Sequence, residues 1–492
     1  MLVSAPERND ETSGPVIAIV FHRLLALTFL VAWWSLGRQV DVLIGRRGLL
    51  PLASYLDEVA PRVGLSFWDF PSIFWWGASD DVLRTGVWVG AFLALLALAG
   101  LRPRVCIALS TALYLSYATA ARTFLSFQWD NLLLECGALA VFLPTDRPAR
   151  WIHVLFRLLL FKLYWESGVA KWQSYLGDWQ DGSAMTYYYE TAPLPTWIAW
   201  FAHHLPPWWH HLESWLVLVL ELLVPFGIFG PRHVRLTTVA IFTAFQIANA
   251  STANYGFFCY LSAALGLFLL ADRDLVRTLP FLARLAPPVP ATATPPRWLD
   301  WGRAVIAVAV TVSFLAVSVA DAAINFSGSA RAIRAIQPWQ SLYAPWRLVN
   351  TYHLFGHITR ERIEPQFETF DGHEWTEHDF SYKPGDLRRP PPFVAPHQPR
   401  VDFQLWFYGL GFQHGTPTYV AELLDRLCHD PTAVQPLFPT PLPSRPQAVR
   451  IVFWRYRFTS PAEHGSTGTW WTRERVALSS PLSCGSAAQS DP

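Results

Sequence analysis

Apolar stretches of bilayer-crossing length recur along the first two thirds of this 492-residue chain, and a helical membrane bundle is the fold they impose. The first covers residues 16–36. The residues before it are polar and mixed in charge, so it reads as a membrane span and not as a cleaved signal. Eight more are expected at 82–101, 105–120, 131–143, 151–169, 215–229, 237–253, 255–271 and 304–324, nine in all, the fourth being the shortest. Composition agrees. Charged residues make up 15% of the chain, against about 25% in ordinary soluble proteins, which argues against a soluble enzyme and against disorder. Lys and Arg number 38 against 37 Asp and Glu, so there is no basic surplus for a nucleic-acid partner.

Arginine placement orients the bundle. Arg102 and Arg104, Arg147 and Arg150, Arg232 and Arg235, and the group from Arg273 to Arg303 fall in alternate connections, while the others hold few cations or are acidic, with Asp178, Asp181 and Glu190. The first connection, with Arg38, Arg46, Arg47 and Arg62, fits less well. By the positive-inside rule the N-terminal tail, residues 1–15, is cytoplasmic. After nine spans the C-terminal region is then lumenal or extracytoplasmic.

Beyond the membrane domain, residues 16–326, with a Pro-rich linker at 287–296, charge and proline rise and period-two patterns appear. Residues 327–478 are expected to form a soluble β-rich, sandwich-like domain, and residues 479–492 a disordered tail. Asp371-Gly372 between two alternating runs predicts a hairpin, residues 449–458 a strand, and Thr416-Pro417 a helix start before residues 419–427. The five cysteines, Cys106, Cys136, Cys259, Cys428 and Cys484, lie far apart, signalling neither a zinc site nor a disulfide framework, and the first three sit in apolar runs as core residues do.

Polar residues at membrane depth are the first candidates for function: Arg157, Lys162, Glu166 and Lys171 in the fifth expected span, and Glu221 in the sixth. Lys162 and Glu166, four apart, share a helix face and can pair, with Arg157 and Lys171 snorkelling to the headgroups. Only three lysines occur in the chain, and two of them are here. The loop from 172 to 207 is rich in Trp and Tyr; it serves as an aromatic belt or as a surface for unfolded chains. His203-His204 and His210-His211 lie there without cysteine or a spaced carboxylate, so no metal is expected. The polar residues between 350 and 400 form either a buried network holding the soluble domain to the bundle or a docking face. No nucleophile elbow, phosphate loop or dinucleotide fingerprint occurs, so no catalytic residue and no cofactor are expected. The sequons at Asn249 and Asn325 lie in or against the membrane.

Several runs resemble the lipase maturation factor family. They are Phe127-Gln128-Trp129-Asp130 through Glu135; Arg157 through Lys162, Glu166 and Lys171; Tyr187-Tyr188-Tyr189-Glu190; and Glu221 through Phe226. In the soluble region they are Asn350-Thr351-Tyr352, Arg360 and Arg362, Lys383 and Asp386, and Arg389 through His397 and Arg400. The motifs fall in order over roughly residues 15–475. The resemblance implies a multi-pass membrane protein that helps secreted lipases fold and assemble. Its surroundings would be membrane lipid and its partners secreted clients, with no catalysis of its own. The location implied is the endoplasmic reticulum membrane in a eukaryote and the inner membrane in a bacterium, which the Arg-rich, Lys-poor composition suits. The competing reading is an integral-membrane enzyme faintly similar to the vitamin-K-dependent γ-glutamyl carboxylase group, with a lysine as base. Lys162 beside a carboxylate argues against that, because the carboxylate favours the charged ammonium. A transporter would want repeated halves with broken helices, and none is evident.

Overall fold

The computed structural model describes residues 14–285 and 297–485; the linker at 287–296, all but the last residues of the N-terminal tail, and residues 486–492 lie outside them. The helical half is built from α1 (Pro15–Gly37), α2 (Asp80–Leu98), α3 (Pro103–Ala120), α4 (Gln128–Ala140), α5 (Arg150–Trp172), α6 (Ala184–Thr191), α7 (Pro207–Leu222), α8 (Arg232–Thr252), α9 (Phe258–Leu265) and α10 (Arg297–Phe326), with shorter turns between. Pro15 suits the first turn of α1, where its missing N–H costs nothing. The free N–H groups of Gly14, Val16 and Ile17 are taken up by the distant Asp272 carboxylate, each at 3.0 Å. In α2 the Ser79 hydroxyl caps Val82, and Asp80 and Asp81 complement the helix dipole.

α1 runs through the centre. Trp33 on it is fully buried, donates to the Ser110 hydroxyl at 2.9 Å, and meets the rings of Tyr114 and Tyr117 edge-on at 5.2 and 5.3 Å. Gly90 on α2 lets the two helices close on this ring, since a Cβ there would lie 2.2 Å from it.

The expected nine spans reduce to four. Only Pro15–Gly37, Asp80–Leu98, Pro207–Phe229 and Asp300–Phe326 are, among the described residues, both long and apolar enough to cross a bilayer. The other five segments are helices too, but each fails for a physical reason. α4 has 13 residues, or about 20 Å. α3 turns Ser110, Thr111, Ser116 and two tyrosines inward. α5 carries four charged residues after its first turn, α8 carries arginines and amides, and the segment Phe258–Leu269 is short. α3, α4, α5 and the segment Phe258–Leu269 are largely buried in the bundle, where hydropathy averaging does not separate them from lipid-facing spans, whereas α8 buries one face only, with Arg235, Thr238, Phe242 and Gln246.

The C-terminal half opens with α11 (Ala330–Tyr343). It then forms one antiparallel sheet of β1 (Arg362–Phe370), β2 (Trp375–His378), β3 (Ala448–Phe458), β4 (Trp471–Leu478) and β5 (Leu482–Ser483), in the order β2-β1-β3-β4 with β5 beside β3. The hairpin is where the Asp371-Gly372 pair predicts it: Phe370 faces Trp375, Gly372 has φ +107°, and the Asp371 carboxylate accepts from His373 and Glu374. The strand at 449–458 and the helix after Thr416-Pro417, α13 (Thr418–His429), also form.

A sandwich does not. The second layer is helical: α12 (Arg400–Gly411) packs on β1 and α13 on β3. Gly409 brings α12 so close that a Cβ would lie 2.0 Å from the Ile363 carbonyl oxygen. Cysteine reading also needs correction. Cys428 and Cys484 form a disulfide joining α13 to the residue after β5, so residues 479–485 of the expected disordered tail are held in the fold; Cys106, Cys136 and Cys259 are buried thiols.

Candidate functional site

Between α11 and β1 the chain from 347 to 361 has no helix or ladder of its own, so its backbone polar groups need other partners. Side chains of the helical half supply them. Glu135 accepts from the Asn350 N–H and Glu166 from that of Tyr352, both at 2.9 Å; Gln128 accepts from His353 at 2.9 Å and Asp178 from Ile358 at 2.6 Å. In return the Leu354 and Phe355 carbonyls accept from Lys171 at 2.7 Å and from the Trp179 indole at 3.1 Å. A second extended stretch is held likewise. Asn254 accepts from Val394 and Ala395 and donates to the Pro392 carbonyl, while Gln39 and Ser35, at the end of α1, bind the backbone of 398–400.

Ion pairs lie under these straps. Glu135, fully buried on α4, takes Lys162 at 3.3 Å, the Tyr352 hydroxyl at 2.8 Å and the Asn350 amide at 3.1 Å. Lys162 is thus bound across to α4, and the expected pairing with Glu166 on its own helix is corrected: Glu166 turns to the Tyr352 backbone instead. Lys171 does not snorkel. It is buried against Glu221 of α7 at 2.7 Å. Arg400 grips Asp130 with two bonds, 2.5 and 2.8 Å, and Tyr114 donates to the same carboxylate at 2.7 Å. Arg362 reaches the Glu190 and Pro193 carbonyls at 3.0 and 2.7 Å and pairs with Glu364, which also holds Lys383 at 2.9 Å. Glu190 closes the edge by accepting from Phe458 at 2.7 Å.

Not every motif residue joins this seam. Trp129 packs on Phe127 and Phe403. Thr351 accepts from Asn325 at 3.4 Å, Tyr189 donates to Glu213, and Arg360 lies exposed over the Tyr187 ring. Asp386 and Arg389 brace their own loop, and Arg157 binds the Phe268 carbonyl toward the other end of α5. Among the described residues no group of three or more His, Cys, Asp or Glu is placed to hold a metal ion. Ser35, Gln39, Tyr114, Asp178, Asn254 and Glu364 are seam residues that sequence reading did not single out as candidates, and no local pattern marked them.

Two titratable groups at the soluble edge report the burial. Burial pushes Asp402, which accepts from the Tyr382 and Lys383 N–H groups, up to about 6. His397, bonded to Ser35 at 2.9 Å, is held down at about 4 by burial and by the nearby Arg38 and Arg400. Chemically, the site pairs Lys162, Lys171, Arg362, Lys383 and Arg400 with buried carboxylates and uses others, Glu166 and Asp178, to hold the backbone of the straps. That arrangement fastens two halves of a chain together.

Comparison with known proteins follows the same division. Residues 16–277 match the model of the lipase maturation factor transmembrane domain, and residues 348–481 that of the lipase maturation factor C-terminal domain. Lipase maturation factor 1 of Bos taurus is 30% identical over 93% of this chain and 87% of its own length. Lipase maturation factor 1 of Mus musculus is 30% identical over 96% and 88%, and lipase maturation factor 2 of Homo sapiens 29% identical over 93% and 81%. No solved structure matches.

Proposed function

The chain belongs to the lipase maturation factor family, and from that premise we propose that it is a membrane-embedded maturation factor that helps secreted lipases, or other exported proteins, fold and assemble without catalysing a reaction. The carrying observation is that both family models match in order, one on each side of the seam. Lys162 supports the non-catalytic reading, since its Nζ is already engaged by the buried Glu135 at 3.3 Å.

The C-terminal half is the client-facing one and sits on the oxidising side of the membrane. An even count of four would return it to the side of the N-terminal tail, so this reading also requires an odd number of crossings among the remaining helices, and two observations support it. The seam gathers at the end of α1, the start of α4 and the end of α5, whereas Arg104 binds the Val141 carbonyl past the far end of α4 and Arg232 pairs with Asp274, so the arginine-rich end lies opposite. The disulfide lies in the C-terminal half, and the helical half has three free thiols.

The holding surface is a cluster of rings where the two halves meet: exposed Phe67, Trp68 and Trp76 around the half-buried Trp346, with neighbouring centroids 5.5–6.1 Å apart. Trp68 is 69% and Trp76 79% exposed, more than a folded surface needs. The test is to co-express a secreted lipase with the wild type and with Trp68→Ala/Trp76→Ala/Trp346→Ala. The wild type is expected to raise the yield of active secreted lipase and to crosslink to it, and the triple variant to lose both at unchanged membrane level. Equal yields of active lipase with and without the chain would defeat the proposal.

A further inference from the structure

Behind the Lys171–Glu221 pair, between α5, α7 and α8, lies a cavity of about 330 Å³ whose inner wall is the seam's Lys171, Trp179, Leu354 and Phe355. Its volume is within the range of small-molecule sites, and most of its wall is apolar. Leu216 and Ala248, both exposed, stand at its mouth on α7 and α8. α7 belongs to a candidate span whose Leu212, Trp215, Leu216 and Val219 are exposed, so the mouth opens where lipid would lie.

Polar groups inside narrow the occupant. Gln246, 4% exposed, donates to the Tyr164 hydroxyl at 2.9 Å, and its Oε1 has no partner; turning the amide over only exchanges which atom is left. The Trp209 indole N–H is also buried without a hydrogen bond, and the second oxygen of Glu213 has only His210 Nδ1, 3.7 Å away. A buried polar atom left without a partner is costly, so Gln246 and Trp209 ask for a molecule with a hydroxyl hydrogen to give and a carbonyl to offer. Lys171, the one cation among the described lining residues, is already committed to Glu221, which leaves nothing to neutralise a phosphate.

We propose that this cavity binds a neutral, hydroxyl-bearing ester lipid of the acylglycerol type, entering sideways from the bilayer between α7 and α8. Its hydroxyl donates to Gln246, its ester carbonyl accepts from Trp209, and its chain fills the apolar wall. This does not rest on the maturation role.

The full-length protein in phosphatidylcholine vesicles is irradiated with a photoactivatable diacylglycerol, with photoactivatable phosphatidic acid as the anionic control, and the labelled peptides are mapped. The diacylglycerol is expected to label α5, α7 and α8 and the phosphatidic acid not. Gln246→Leu should cut labelling by about tenfold, as for one good hydrogen bond. Ala248→Trp, at an exposed position that the fold tolerates, should close the mouth and bring it to background. Label elsewhere in the wild type, label undiminished in Ala248→Trp, or equal labelling by phosphatidic acid would each overturn the assignment.

Discussion

Helices α5 and α10 are both expected membrane spans and lie packed side by side, yet they solve opposite problems. α10 is apolar, and only 17% of its most apolar stretch is buried; Val308, Val312 and Val319 are each more than half exposed. α5 carries Lys162, Glu166 and Lys171, all buried. Where they meet, Phe314 of α10 slips under Lys162, its ring centroid 5.0 Å from the ammonium. In a soluble protein apolar residues mark the interior. Here apolar residues serve both the interior and the face turned to lipid, and it is the buried charges that mark the interior, because only there can a charge be given a partner.

Removing one of those partners should have the largest effect. Glu135→Gln takes away the carboxylate that Lys162 bonds, leaving it only the more distant Glu166 and Asp321, and Asp130→Asn takes away the carboxylate that Arg400 grips. Each is expected to cost about 3–5 kcal/mol. The readout is thermal unfolding in detergent together with proteolysis of the 347–361 strap; a loss below 1 kcal/mol would break the comparison. On α10, Val312→Arg should cost about 2.5–3.5 kcal/mol of insertion if that face meets lipid, as glycosylation-tagged insertion assays can measure. An Arg accepted there without cost would mean that α10 faces water.

The disulfide is a covalent counterpart to the ion pairs. Cys428→Ser/Cys484→Ser opens a link spanning 56 residues and should cost up to about 4 kcal/mol, freeing β5 to rapid hydrogen exchange while the seam persists. Acid should act on the seam more gently. His397 titrates at 6.5 when unfolded and at about 4 in the fold, so its contribution is complete above pH 6.5 and is lost as pH falls toward 4. Asp402 runs the other way, its folded value of about 6 lying above its ordinary 3.8, so it gains stability as pH falls through 6. His397→Gln should flatten the acid loss of stability and Asp402→Asn steepen it. Identical slopes in both variants would show that neither group is buried as described. The smallest effect belongs to Val312→Ala on the lipid face, within about 0.5 kcal/mol.

Much of this was legible beforehand. The helices of the membrane half, the hairpin at Asp371-Gly372, β3 and α13 follow from periods and turn residues that act within a dozen positions. The seam residues were mostly visible as candidates, Glu135, Lys162 and Arg400 among them. What they bind was not. Lys162 had a well-spaced carboxylate on its own helix and took another 27 positions away, because α4 presents Glu135 at the same depth with Tyr352 and Asn350. Disulfide pairing of two distant cysteines carries no local signal, and neither does the choice between a second sheet and two helices as the layer covering β1 and β3.

By itself, then, the sequence determined the class of the chain, its order of helices and strands, and which surfaces are apolar, because those depend on composition and on repeats of two to four residues. Tertiary structure decided which helices face lipid and which partner each charge takes. The bonds that matter most, Arg400 to Asp130 and Glu135 to Tyr352, join residues 270 and 217 positions apart, and only the packed chain brings them within reach.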